Sequence, residues 1–152
     1  MADGVFNIAK GRIAYYAGQA GVANAALTVV LLKVAEADDT LNNHDDLGAL
    51  IAGANTEADF TNYARKQITS STPTVDDTGN DVQEVIADQT WTSAGGATNN
   101  TLVKLLVCYD ADTTAGTDAN IVPLTYHDFA VTTDSNDLTA DFDGTNGFWG
   151  SA

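Results

Sequence analysis

Two apolar runs constrain this chain more than any other feature. Residues 25–35 read AALTVVLLKVA and residues 101–109 read TLVKLLVCY. Successive side chains of a strand point to opposite faces. In the first run Leu27, Val29 and Leu31 therefore share one face, and Val30, Leu32 and Val34 share the other. In the second, Val103, Leu105, Val107 and Tyr109 oppose Leu102, Leu106 and Cys108. A strand apolar on both faces is a central strand covered on both sides, or one whose second face meets a partner. A buried helix is the competing reading of so short a run, and the β-branched residues argue against it. The first run is about half the ~20 apolar residues of a membrane-spanning helix, and Lys33 interrupts it.

The remaining segments are shorter. VFNIAKGRIAYYA (5–17) alternates, with a parity switch near Gly11 that predicts a strand bulged or bent at that glycine. Asp45 or Asp46 is placed to N-cap a short helix carrying Leu47, Leu50 and Ile51, with Gly53 as its stop. This segment, near residues 45–53, is the only one whose pattern predicts a helix. FTNYARKQI (60–68) reads as a strand, and STPTVDDTGND (71–81) as a loop broken by Pro73 and Gly79. Short strands follow at 82–87, around Trp91, and at 138–142. IVPLTYHDFAV (121–131) is extended, but Pro123 lacks a ladder donor, so this strand belongs at an edge or is bulged there. About seven or eight short strands separated by turn signals predict a mainly β fold, an antiparallel β-sandwich of Ig-like or jelly-roll kind. At 152 residues the chain suits one such domain, residues 1–152.

Charge narrows the partners. There are 21 Asp and Glu against 6 Lys and Arg, a formal net charge of −15. Nucleic-acid binding needs cations to replace phosphate counterions, and an anionic membrane surface needs them equally; the balance argues against both. Adaptation to high salt is a second reading of the same acidity. The first residues, MADGVFNIAKGR, show no basic stretch followed by an apolar one, so the expectation is a soluble protein made in the cytoplasm.

Candidates for chemistry are few. His44 lies in an Asx-rich loop and His127 in a predicted strand; either residue type can ligate metal or act as a base. Asp128 adjoins His127, but neighbours along a strand face opposite ways, so it is poorly placed to orient the ring. Cys108, the single cysteine, sits inside an apolar strand and reads as a core thiol. Three acidic groups invite calcium: Asp76, Asp77, Asn80 and Asp81; Asp110, Asp112 and Asp118; Asp141, Asp143 and Asn146. None has the spacing of an EF-hand loop, and solvated turns are the simpler reading. There is no phosphate loop, nucleophile elbow or paired-cysteine motif. The reading is no catalytic residue, no cofactor and no metal. Among the aromatics, Phe148 and Trp149 lie in a glycine-flanked tail, where they either close the base of the domain or anchor a neighbouring subunit. With Tyr126 and Phe129 they form the candidate interface set.

The order of segments across nearly the whole chain carries a resemblance: FNIAKGRIAYYA, LTVVLLK, DDLGALIAGANTEADFTNYARK, TWTSAGG, LLVCYDAD, IVPLTYHDF and TTDSNDLTADF. It resembles small structural proteins of tailed bacteriophages and related viruses, of the capsid decoration type. The resemblance implies a virion component without enzymatic activity, docked on the major capsid protein or other virion proteins. It implies repeated copies, a homo-oligomer with a trimer among the options. Decoration of the head is the first expectation. A tail, fibre or connector module binding a receptor or glycan is the alternative, with Trp91, Trp149 and Tyr126 as a sugar platform and calcium in the Asp loops.

Overall fold

The computed structural model describes residues 3–142 and 148–151. In chain order its elements are β1 (Gly4–Val5), α1 (Ile13–Gly18), β2 (Ala26–Val34), α2 (Asp38–Leu41), α3 (Leu47–Ala52), β3 (Thr56–Glu57) and β4 (Lys66–Ile68). There follow β5 (Thr72–Asp76), β6 (Asp81–Val85), β7 (Gln89–Trp91), β8 (Lys104–Asp110), β9 (Val122–Asp128), β10 (Leu138–Ala140) and β11 (Trp149–Ser151). Short 3₁₀ turns occur at Asn7–Ala9 and Asp118–Asn120. The expected mainly β, antiparallel fold is what the chain adopts.

The two apolar runs pair with each other at the centre. β2 and β8 run antiparallel from Ala26 opposite Asp110 to Leu32 opposite Lys104. Their flanks are β9 and then β1 on one side, and β3 and β4 along the far edge of β2. Both faces of β2 are buried, as doubly apolar strands require: Leu27, Val29, Val30, Leu31 and Leu32 are all fully covered. On the face of Val30 and Leu106, the Phe6 ring packs edge-on to Tyr126 at 5.3 Å, and α2 reaches Lys104 through Asp38. A cleft lined by Leu105 and His127 on the opposite face is lined also by Ala140 of β10. Among the described residues β10 pairs only with β7, and β5, β6 and β11 form a separate three-stranded sheet. Buried apolar residues of the main sheet, the three helices and the β7–β10 ribbon join one contiguous core, which, among the described residues, the β5–β6–β11 sheet meets only through Ile86, Phe148 and the partly buried Trp149.

Local signals behaved as their chemistry dictates at several points. The Asp46 carboxylate accepts the Ala49 N–H at 2.7 Å at the start of α3, and Gly53 ends the helix. Pro123 falls where the ladder slips. Val107 pairs with Thr125 but Cys108 pairs with Pro123, which leaves an extra residue on β9.

Four expectations need correction. Residues 5–17 are not one bulged strand: only Val5 belongs to β1, a 3₁₀ turn covers Asn7–Ala9, Gly11 at φ +76° lies in the turn after it, and α1 follows. Ile13 and Ala17, one helical turn apart, are its buried residues. α2 is likewise an additional short helix, with Asp38 and Asp39 in its first turn, where the helix dipole favours acid. Residues 60–68 are a strand only from Lys66; a turn from Phe60 to Tyr63 precedes it, with Asn62 left-handed at φ +71°. Residues 71–81 are not a loop, because β5 and β6 form a hairpin through them. Pro73 is tolerated there because β5 is an edge strand.

Candidate functional site

Each chemically capable residue can be followed to its surroundings. Cys108 lies in β8 opposite Thr28, is fully buried, and burial pushes its thiol well up. A thiol in that state is a small apolar group and not a nucleophile. His44 follows α2, and its Nε2 stands 2.7 Å from Glu36 Oε2. The same oxygen accepts Asn55 Nδ2 at 2.7 Å, while Asn55 Oδ1 accepts the Glu36 N–H at 2.9 Å. These bonds, from His44 first and then Asn55, hold the Glu36 carboxyl below the usual glutamate range. The cluster ties the end of β2 to the segments around α3.

His127 has a different environment. Its Nε2 lies 2.9 Å from Thr125 Oγ1, two residues back on the same face of β9. Its Nδ1 lies 3.4 Å from Asp3 Oδ2, and the other Asp3 oxygen accepts the Asp128 N–H at 2.7 Å. Burial lowers the His127 pKa, against the opposing pull of Asp3. Asp128 sends its carboxylate to Lys104 instead, as strand alternation requires. Asp3 was not foreseeable as the partner, since it is distant in sequence and arrives only because β1 pairs with β9.

The acidic group at 110–118 resolves into turns and an ion pair. Asp110 Oδ1 accepts the Asp112 N–H at 3.1 Å, and Asp112 Oδ1 accepts both the N–H and the hydroxyl of Thr114. Asp118 accepts Arg65 through both carboxylate oxygens at 2.6 and 2.9 Å. Arg65 also holds both oxygens of Glu57, so one guanidinium joins β3 to the Asp118–Asn120 turn. Arg65 and the 110–118 loop line a polar cavity of about 210 Å³. Among the described residues no group of three or more His, Cys, Asp or Glu is arranged to hold a metal. Asp143 and Asn146 lie outside the described residues.

The candidate interface residues mostly serve the interior. Tyr126 and Phe148 are 6% and 3% exposed, whereas Phe129 and Trp149 are partly buried against the core. Only the latter two retain surface for a partner. Trp91, expected in a sugar platform, is 1% exposed and donates its indole N–H to the Ala64 carbonyl at 2.8 Å. A buried indole cannot stack on a glycan.

Sequence reading missed two features. One is Lys104, fully buried between Asp38 at 3.0 Å and Asp128 at 2.7 Å. Its polarity inside an apolar run was the available signal. The other is a cleft of about 270 Å³ between the main sheet and the β7–β10 ribbon, bounded by His127, Phe129, Phe142 and Phe148. Comparison of the chain with protein-family models, curated proteins and solved structures gives no match.

Proposed function

We propose that this protein is a structural component of a virus particle, a decoration-type module that docks on the capsid lattice and raises the cost of separating its subunits. The observation that carries this reading is the contrast between interior and exterior. The groups most able to do chemistry are engaged inside the fold: Cys108 is buried, His44 is held by Glu36, and His127 lies between Thr125 and Asp3. The exterior is dominated by acid, with 21 acidic residues against 6 basic ones in the chain, which keeps free copies apart before assembly.

Attachment also needs accessible apolar surface. α1 and β5 pack against each other and expose Tyr15 and Val75, at 64% and 65%. Many weak contacts repeated over a lattice give high occupancy, so each need only be modest. Binding to the assembled shell alone stabilises that shell. Quantitative mass spectrometry of purified particles tests the proposal. Many copies per particle are expected; a few would move the protein to a tail or connector, and none would end the reading.

A further inference from the structure

We propose that the cleft between the main sheet and the β7–β10 ribbon receives a basic side chain, arginine or lysine, from a partner protein. This deepens the attachment reading and rests on it for the source of that side chain. The cleft, of about 270 Å³, has apolar walls from Leu105 of β8, from Phe129, and from Phe142 and Phe148 across the gap. Leu105, Phe142 and Phe148 are under a tenth exposed, so the walls are held in place by the core. Asp3 and Asp141 stand at the rim, both exposed. No lysine or arginine is among the described residues lining the cleft.

Apolar walls below a carboxylate rim suit a guest with a methylene stem and a cationic tip. Ring faces add attraction for an ammonium or guanidinium. The molecule already pairs its own cations with rings: Lys66 Nζ lies 5.5 Å from the Trp91 centroid, and Lys104 Nζ lies 4.9 Å from that of Tyr126. The other polar groups in the cleft do not oppose a cation. His127 is kept toward its neutral form by burial. Asp128 is ion-paired with Lys104. A purely apolar guest would leave the charge of the exposed Asp141 unanswered at the rim, and an acidic one would meet Asp3 and Asp141 as like charges.

The test titrates the full chain with n-butylguanidinium and, in parallel, with its neutral isostere n-butylurea, following backbone amides by NMR. The expected result is saturable shifts at Leu105, Phe129 and Ala140 with the cation alone, weakening as salt rises. The double variant D3N/D141N should bind about five-fold more weakly, as expected for losing two exposed charge contacts. D141N alone, at an exposed position, gives the same reading should the double variant fold poorly. Absence of shifts in the cleft, or equal shifts with butylurea, overturns the proposal. Failure here is distinguishable from failure of the virion reading, which the copy number in particles decides.

Discussion

Lys104 stands directly across from Asp128 in the β8–β9 ladder, and its ammonium, without exposed surface, lies 2.7 Å from the Asp128 carboxylate. Asp38 approaches from α2 at 3.0 Å, so one buried cation fastens a helix and a strand to the centre of the sheet. Burial opposes the charge on Lys104, and the two carboxylates overcome it, leaving the pKa raised. A raised lysine pKa contributes stability that is complete below the usual lysine range and is lost as pH climbs through the native value. Replacing Lys104 by Ala should cost about 3 kcal/mol, from the cavity and the stranded carboxylates together. Lys104→Met should cost less, because it fills the space and because Asp38 and Asp128 keep 25% and 41% of their side-chain surface in water. Urea denaturation of both variants checks this; equal losses would show that charge pairing, and not packing, dominates.

Arg65 grips Glu57 and Asp118 with two hydrogen bonds each. Lysine keeps the charge but not the planar fork. Arg65→Lys should therefore destabilise by about 1–2 kcal/mol, and amide exchange should quicken first at β3 and in the 118–120 turn. Unchanged protection at both places would contradict the bridging role.

Two glutamates give stability opposite dependences on pH. Glu36 is held below the usual range by His44 and Asn55. Its contribution is present above the ordinary glutamate pKa and is lost as pH falls through the lower native value. Glu84 is 2% exposed, receives the Ser71 hydroxyl at 2.9 Å, and is raised by burial. It favours the fold at low pH, and that contribution disappears as pH rises through its raised value. Glu84→Gln should therefore stabilise the protein near pH 7 and flatten that rise-dependent loss. Glu36→Gln should destabilise it near pH 7 and remove the acid-side loss. Melting temperatures across pH 3–8 distinguish the two.

Cys108 has no exposed surface, and its thiol is pushed up by burial. A disulfide reagent should leave it untouched in the native protein and label it completely after unfolding in denaturant. Fast labelling under native conditions would mean that β8 opens readily.

Much of the fold was legible because its signals are local. Two short runs apolar on both faces, at Val30 and Leu105, can be buried on both sides only in a covered sheet, and they pair with each other. The Asp46 cap, the Gly53 stop and the slip at Pro123 each depend on the chemistry of a few adjacent residues. The misread segments are those whose local pattern fits two structures. Residues 13–17 alternate well enough for a strand, yet Ile13 and Ala17 also share one helical face, and packing selected the helix. Residues 72–76 look like a loop because Pro73 breaks a ladder, and they become a strand because, among the described residues, only one of their edges is paired.

The amino-acid sequence by itself determined the β-rich class, the two central strands and the acidic character, since composition and side-chain alternation are properties of neighbouring residues. Tertiary structure alone decided that Asp3 meets His127, that Asp38 and Asp128 share Lys104, and that Arg65 joins Glu57 to Asp118. Those partners are brought together by strand order and register, which arise from how the whole core closes and have no local signature in the chain.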